Sequence, residues 1–261
     1  MNGTTTVQLA EKTAKAVTGS VKEWTGFLQS AARLYKYSYP EQLLIYAQRP
    51  DATACASYEI WNQTMRRYVR RGARGIALPD GAGAVRYVFD VADTGARKSS
   101  REVKTWALDE NNREAVAHAL ETQYGSAAKL GIAGQLEEIA MQQSMDYWQW
   151  HQDELRGIVD GSFLEGYDEL NLEIAFRNTA AASVKYMLLS RCNLAREYQI
   201  EPEELAGVLE WNTSAASGAL GSAVSELSEG VLRQIERTIR QYERSQNHDE
   251  RTDVYEERRV L

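Results

Sequence analysis

Between residues 33 and 75 the chain intersperses cations with aromatic rings. Arg33, Lys36, Arg49, Arg66, Arg67, Arg70, Arg71 and Arg74 share this stretch with Tyr35, Tyr37, Tyr39, Tyr46, Tyr58, Trp61 and Tyr68. Two kinds of chemistry meet here. Guanidinium groups neutralise phosphates and release their counterions, while ring faces stack unpaired bases of any identity. Each stacked base contributes on the order of 1–3 kcal/mol, so a few rings and several phosphate contacts make a usable grip. Arginine outnumbers lysine, which fits, because its planar fork both pairs with phosphate and stacks. Gly72 and Gly75 let a hairpin backbone approach a ligand closely. The predicted nucleic-acid contacts are Arg33, Lys36, Tyr37, Tyr39, Trp61, Arg66, Arg67, Tyr68, Arg70, Arg71 and Arg74.

A plainer reading stands beside this one. Tyr and Trp at helical spacing are more often core than platform, and Trp24 and Trp61 are expected to be largely buried. An arginine-rich hairpin also serves as a solvated edge that discourages strand-to-strand aggregation.

Other constellations are weaker. The Gly81-Ala82-Gly83-Ala84 run lacks the lysine and helix signature of a nucleotide loop and reads as a hairpin turn. Asp160, Glu165, Asp168 and Glu169 form an acidic group without the spacing of a Ca²⁺ loop, so a solvated link and helix start is expected. His118, His151 and His248 are scattered, and there is no HExxH. Cys55 and Cys192 lie far apart and read as buried small apolar groups rather than a disulfide or zinc site. No Ser, Cys or Lys pairs with a base, so no catalytic residue, metal or cofactor is assigned.

The elements that must carry the basic segment follow from periodicity. Residues 1–20 are expected to be flexible or to form a short helix. Val21, Trp24, Phe27, Leu28, Ala31, Leu34 and Tyr35 recur at helical spacing, and Pro40 opens a second short helix that the Arg49-Pro50 step ends. Ser57 can cap a short helix through Ile60 and Trp61. Tyr68 and Val69, a turn over 71–75, and Ile76 to Leu78 read as a hairpin. The alternation of Val85, Tyr87, Phe89 and Val91 reads as a half-buried strand, and 98–101 as a polar, basic loop. Residues 103–108 are a candidate further strand. Beyond Asp109 the pattern is helical almost throughout, with starts near Asp109, Ile132, Leu170 and Pro202 and a long stripe from Leu220 to Tyr242.

The expected fold class is therefore α+β: a small antiparallel sheet with flanking helices, followed by a mostly α-helical C-terminal part. The predicted parts are a flexible 1–20, a nucleic-acid-binding 21–108, a helical 109–245 packed on it, and a disordered tail over 246–261. No Pro/Gly/Ser-rich linker separates them, so one continuous body is expected. The hydrophobic share of 43% and charged share of 26% are those of an ordinary globular protein. Residues 1–10 lack the layout of a signal peptide and no apolar run nears the roughly 18 residues of a membrane span, so a cytoplasmic location without membrane contact is expected. The net charge of −7 hides a split. Residues 1–104 carry 16 Lys/Arg against 9 Asp/Glu, a balance of +7, whereas 105–261 carry 14 against 28, a balance of −14. Such halves point to two surfaces with different partners.

The run Tyr37-Ser38-Tyr39-Pro40-Glu41-Gln42-Leu43-Leu44-Ile45-Tyr46-Ala47, then Trp61, then Arg70-Arg71-Gly72-Ala73-Arg74-Gly75-Ile76 resembles the N-terminal domain of ArdC-type antirestriction proteins. The stretch from about Trp24 to Glu243 is also similar to the N-terminal part of large helicase/methylase proteins of Firmicutes conjugative elements. The resemblance implies a single-stranded-DNA-binding module of mobile elements that protects incoming DNA. Glu41 departs from it, standing where the family pattern usually has Asn. The metalloprotease-like half and the helicase and methylase motifs are missing from the sequence. The expected function is non-enzymatic binding of DNA, single-stranded by preference, in antirestriction. The alternative is a protein-binding inhibitor of a host defence nuclease, of restriction or CRISPR type, acting through the acidic stretches 137–173 and 197–210.

Overall fold

The computed structural model describes residues 2–81, 83–195, 198 and 200–260, with side chains through residue 246. The N-terminal segment is more ordered than its composition predicts. Helix α1 (Gly3–Val17) is capped by Asn2, whose Oδ1 accepts the Thr5 N–H at 2.9 Å. It buries Ala14 and Val17 in the main core and leans Leu9 and Ala10 on the sheet, which is why it neither frays nor stays short. Helix α2 (Val21–Arg33) starts on Ser20, whose Oγ accepts the Glu23 N–H, and buries Trp24, Phe27, Leu28 and Ala31 as its periodicity requires. Helix α3 (Tyr39–Gln48) carries Pro40 in its first turn.

Five short strands follow: β1 (Cys55–Ser57), β2 (Tyr68–Val69), β3 (Ile76–Pro79), β4 (Val85–Asp90) and β5 (Thr94–Gly95). They make two antiparallel pieces, a three-stranded sheet in the order β1-β4-β3 and a separate β2-β5 ribbon. A turn of π-helix, Ile60–Thr64, precedes β2, with the Ile60 N–H donated to Ser57 Oγ. The β3-β4 hairpin closes with the Asp80 N–H on the Ala84 carbonyl at 3.0 Å and the Ala84 N–H on the Gly81 carbonyl at 2.8 Å.

Three local expectations are corrected. Segment 71–75 does not close a hairpin, because β2 pairs with β5 and β3 with β4, so it crosses between two sheets. In β4 the phase is inverted: Val88 and Asp90 are buried while Tyr87 is exposed and Phe89 half-buried. Asp90 tolerates burial because its Oδ2 accepts the N–H groups of Thr53 and Ala54 and its Oδ1 that of Ala92. Residues 103–108 pair with no strand. Trp106 is instead buried against the helices, its Nε1 donating to Tyr35 Oη at 3.0 Å.

The rest is helical: α4 (Arg113–Tyr124), α5 (Gly131–Ile158), α6 (Glu169–Arg191), a 3₁₀ segment Pro202–Glu210, and α7 (Ser214–Val260). Gly125 ends α4 in the left-handed conformation that suits glycine. The α7 backbone continues as helix to Val260, within the stretch predicted as a disordered tail, and residue 261 and the side chains of 247–260 lie outside the described residues.

One main core takes Trp24, Phe27 and Leu28 from α2, Trp148 from α5, Phe176 and Leu188 from α6, Trp211, and Leu220, Val231, Ile235 and Ile239 from α7. Each such side chain contributes roughly 1.5–3 kcal/mol on full burial. A smaller core of Leu34, Leu44, Ile45, Ala52, Ile76, Leu78 and Val88 lies under the sheet. Helix α3 separates the two, giving Tyr39 and Leu43 to one and Leu44 and Ile45 to the other. Trp24 Nε1 donates to Ser183 Oγ at 2.9 Å, joining α2 to α6. The predicted division at 108 is thus not a division of the core. Cys192 is buried, Cys55 half-buried, and both are free.

Candidate nucleic-acid interface

The β2-β5 ribbon is the element that gathers the basic residues. Tyr68 pairs with Gly95 and Val69 with Thr94. A Cβ at Gly95 would overlap the outer end of the Tyr68 ring, so a larger residue there displaces the ring. Arg67 Nε donates to Thr94 Oγ1 at 2.8 Å, and the Arg70 N–H to the Asp93 carbonyl at 2.8 Å. The 98–101 loop then folds back onto the entry to β2: Ser100 Oγ donates to the Arg66 carbonyl at 2.7 Å and the Arg101 N–H to the Met65 carbonyl at 2.9 Å. The guanidinium of Arg97 sits over the Tyr68 ring, 5.6 Å from its centroid.

This folding places Arg97, Lys98 and Arg101 beside Arg66, Arg67 and Tyr68, and Arg70, Arg71 and Arg74 follow β2 along the chain. Among the described residues none of these eight cations forms an ion pair. The side chains of Arg66, Arg71 and Arg74 make no hydrogen bond to protein either, and all three are at least partly open to solvent. The neighbouring carboxylate of Asp93 is held by Arg49. Glu41, the departure from the family pattern, is neutralised too: it accepts the Ser38 N–H and hydroxyl and pairs with Arg86.

Ring faces are available beside the cations. Tyr68, Tyr87 and Tyr58 are 42%, 46% and 51% exposed. Tyr87 lies against Gly75, where a Cβ would come within 3.0 Å of its ring, so it adjoins Arg74. The inverted phase of β4 is what brings Tyr87 to the surface.

Five predicted contacts lie outside the ribbon. Tyr39 is core, edge-on to Phe27 at 5.7 Å and packed on Gly221. Trp61 is 3% exposed, as the plainer reading expects, and its Nε1 donates to the Phe89 carbonyl at 2.8 Å. Neither presents a face for stacking. Tyr37 donates its hydroxyl to the Cys55 carbonyl at 2.8 Å. Lys36 is paired with Glu236 at 2.6 Å, and Arg33 donates to the Ala52 and Pro50 carbonyls, both at 3.0 Å. The burial of Tyr39 and Trp61 has one cause: helical spacing and chain proximity say nothing of which side a neighbouring element covers. Arg97, Lys98, Arg101 and Tyr87 were not among the predicted contacts. The only local signal for the first three was the basic character of the 98–101 loop.

Three of the four carboxylates at 160–169 are engaged in structure. Glu165 accepts the Gly161 N–H, Asp168 caps α6 through the Asn171 N–H, and Glu169 pairs with Arg156. Among the described residues no three His, Cys, Asp or Glu side chains converge as a metal site, and no helix is long and apolar enough to cross a membrane. The chain matches no family model, no curated protein and no solved structure.

Proposed function

We propose that this chain is a nucleic-acid-binding module whose grip is the β2-β5 ribbon with its flanking loops, and that its ligand is single-stranded DNA. The observation that carries this reading is the set of eight cations without ion-pair partners, next to the exposed rings of Tyr68 and Tyr87. Uncompensated guanidiniums favour phosphate, and exposed rings favour unpaired bases over a closed duplex. The resemblance to ArdC-type domains supports the single-strand preference and a role in protecting incoming DNA from host restriction. The reading assigns binding and no catalytic step.

Fluorescence anisotropy with labelled single-stranded and duplex DNA at several salt concentrations tests it. The triple substitution Arg70→Gln, Arg71→Gln, Arg74→Gln should weaken binding. It should also flatten the slope of log affinity against log salt by about 0.7 for each phosphate that is no longer neutralised. Equal affinity and slope for the triple variant and the parent protein would remove the ribbon as the site.

A second reading has its own observation. A groove of about 480 Å³ between α5, α6 and the 202–210 helix gathers Glu137, Glu203, Glu204 and Glu210 around Lys185, with Met141 exposed at its side. That charge suits the basic channel of a defence nuclease. A complex with such a nuclease that survives the triple arginine substitution would favour this inhibitor reading.

A further inference from the structure

A cleft of about 600 Å³ opens where α2, the loop between α3 and β1, the segment around Thr105 and the end of α6 meet. Two guanidiniums line it, Arg33 and Arg191, together with the hydroxyls of Thr53, Thr105 and Ser190 and the amide of Asn193. Among the described residues neither guanidinium has a carboxylate at ion-pair distance. Both are held by neutral groups. Arg33 bonds the Ala52 and Pro50 carbonyls, while Arg191 bonds the Trp106 carbonyl at 2.9 Å and lies 3.4 Å over the Trp106 ring.

The carboxylates that act on them from further off are committed elsewhere. Asp90 is buried and saturated by three backbone N–H groups. Asp51 leans on Arg49 at 3.7 Å, and Glu236 is neutralised by Lys36 and Arg240. Burial is the largest influence on both arginines and lowers their affinity for the proton, as expected for cations drawn partly out of water without a counter-charge. Ser190 Oγ is buried beside Arg191 with no hydrogen-bond partner. The adjoining pocket, which shares Arg33 and Arg191, adds Glu236 with its partners Lys36 and Arg240, and Lys104, which leans on Glu102. Charges in this situation are ordinarily paired.

We propose that this cleft binds a phosphate group, carried by a nucleotide or by a nucleic-acid strand, with Arg33 and Arg191 as its cations. Beyond the carbonyl bonds of Arg33 Nε and Nη2 and of Arg191 Nη2, the two guanidiniums keep further N–H donors, which with the Thr53 and Thr105 hydroxyls suit the several oxygens of a phosphate. The volume is that of a small-molecule site and leaves room for a nucleoside beside the phosphate. The inference is independent of the ribbon, since the cleft contains none of the ribbon cations.

Isothermal titration with thymidine 5′-monophosphate, thymidine and a short 5′-phosphorylated oligothymidylate tests it. The variant Asn193→Asp is the key reagent. The position is exposed with φ +59°, which Asp tolerates as Asn does, so the change places a negative charge at the cleft with the fold kept. Phosphate-dependent binding that weakens about tenfold or more in Asn193→Asp is the expected result. Binding of the monophosphate would identify a free nucleotide, and binding of the oligonucleotide alone, still sensitive to Asn193→Asp, would identify a strand. The ribbon triple variant should bind the monophosphate as tightly as the parent, which separates failure of the ribbon from failure of the cleft. Thymidine binding as well as its phosphate, no binding of either phosphate probe, or an Asn193→Asp variant of unchanged affinity would overturn the proposal.

Discussion

Glu236 on α7 is engaged by three side chains, Lys36, Tyr35 and Arg240. Burial alone would raise its pKa, but hydrogen bonds from Lys36, Tyr35 and Arg240 overcome that and hold it at about 2. Its partners tie the turn after α2 to α7, and Tyr35 carries the link on to Trp106. The sign of the pH effect follows. A carboxyl depressed on folding contributes stability that is present above its unfolded pKa, near 4.5, and is lost as pH falls towards 2. That contribution is on the order of 3 kcal/mol. The melting temperature should therefore stay flat from pH 7 to about 5 and drop below that. Glu236→Gln should melt lower at neutral pH and lose much of the acid slope. An acid slope identical in the two proteins would show that other carboxylates carry it.

At the scale of the element, the ribbon depends on one residue without a side chain. Tyr68 lies across Gly95, and this packing sets the β2-β5 register that brings the 98–101 loop to the arginines. Gly95→Ala forces the ring aside, and overpacking of this kind costs about 1–3 kcal/mol. The cost falls on a two-residue ribbon at the edge of the fold, so its effect should be local. Hydrogen exchange should speed up at the Arg67 and Arg70 amides flanking β2, while α6 keeps its protection. DNA binding should weaken in parallel. Unchanged exchange across 67–70 would mean that the Tyr68 packing does not hold the ribbon. The segment after β2 was legible as basic and Gly-rich from sequence, but its partner strand was not. Two-residue strands carry almost no periodic signal, and the pairing joins residues some 26 positions apart.

Across the whole molecule, the main core runs from Ala14 to Ile239 and draws on helices from both charge halves. The basic and acidic surfaces therefore belong to one packed unit. Urea unfolding followed by far-ultraviolet circular dichroism and by tryptophan fluorescence should give superimposable transitions. Four of the six tryptophans, Trp24, Trp106, Trp148 and Trp211, sit in that core. An earlier transition in fluorescence or in dichroism would mean that the sheet and its small core melt separately from the helices.

What the sequence determined by itself was local or compositional. The positions of the helices after residue 20 were legible because the 3.6-residue apolar repeat, Pro40 and the acidic helix start at Asp168 all act within a turn or two. The charge split and the arginine cluster at 66–74 were legible because they are properties of neighbours in the chain. Tertiary structure alone decided which rings are covered. Tyr39 is covered by Gly221 on α7 and Trp61 by β4, while Tyr87 is exposed because Val88 took the core side. It also decided which charges are left uncompensated, bringing Arg191 to Arg33 across the fold and 98–101 back to Met65 and Arg66. Burial and charge compensation depend on what lies opposite a residue, and in a packed chain that is set by long-range contacts which no local pattern encodes.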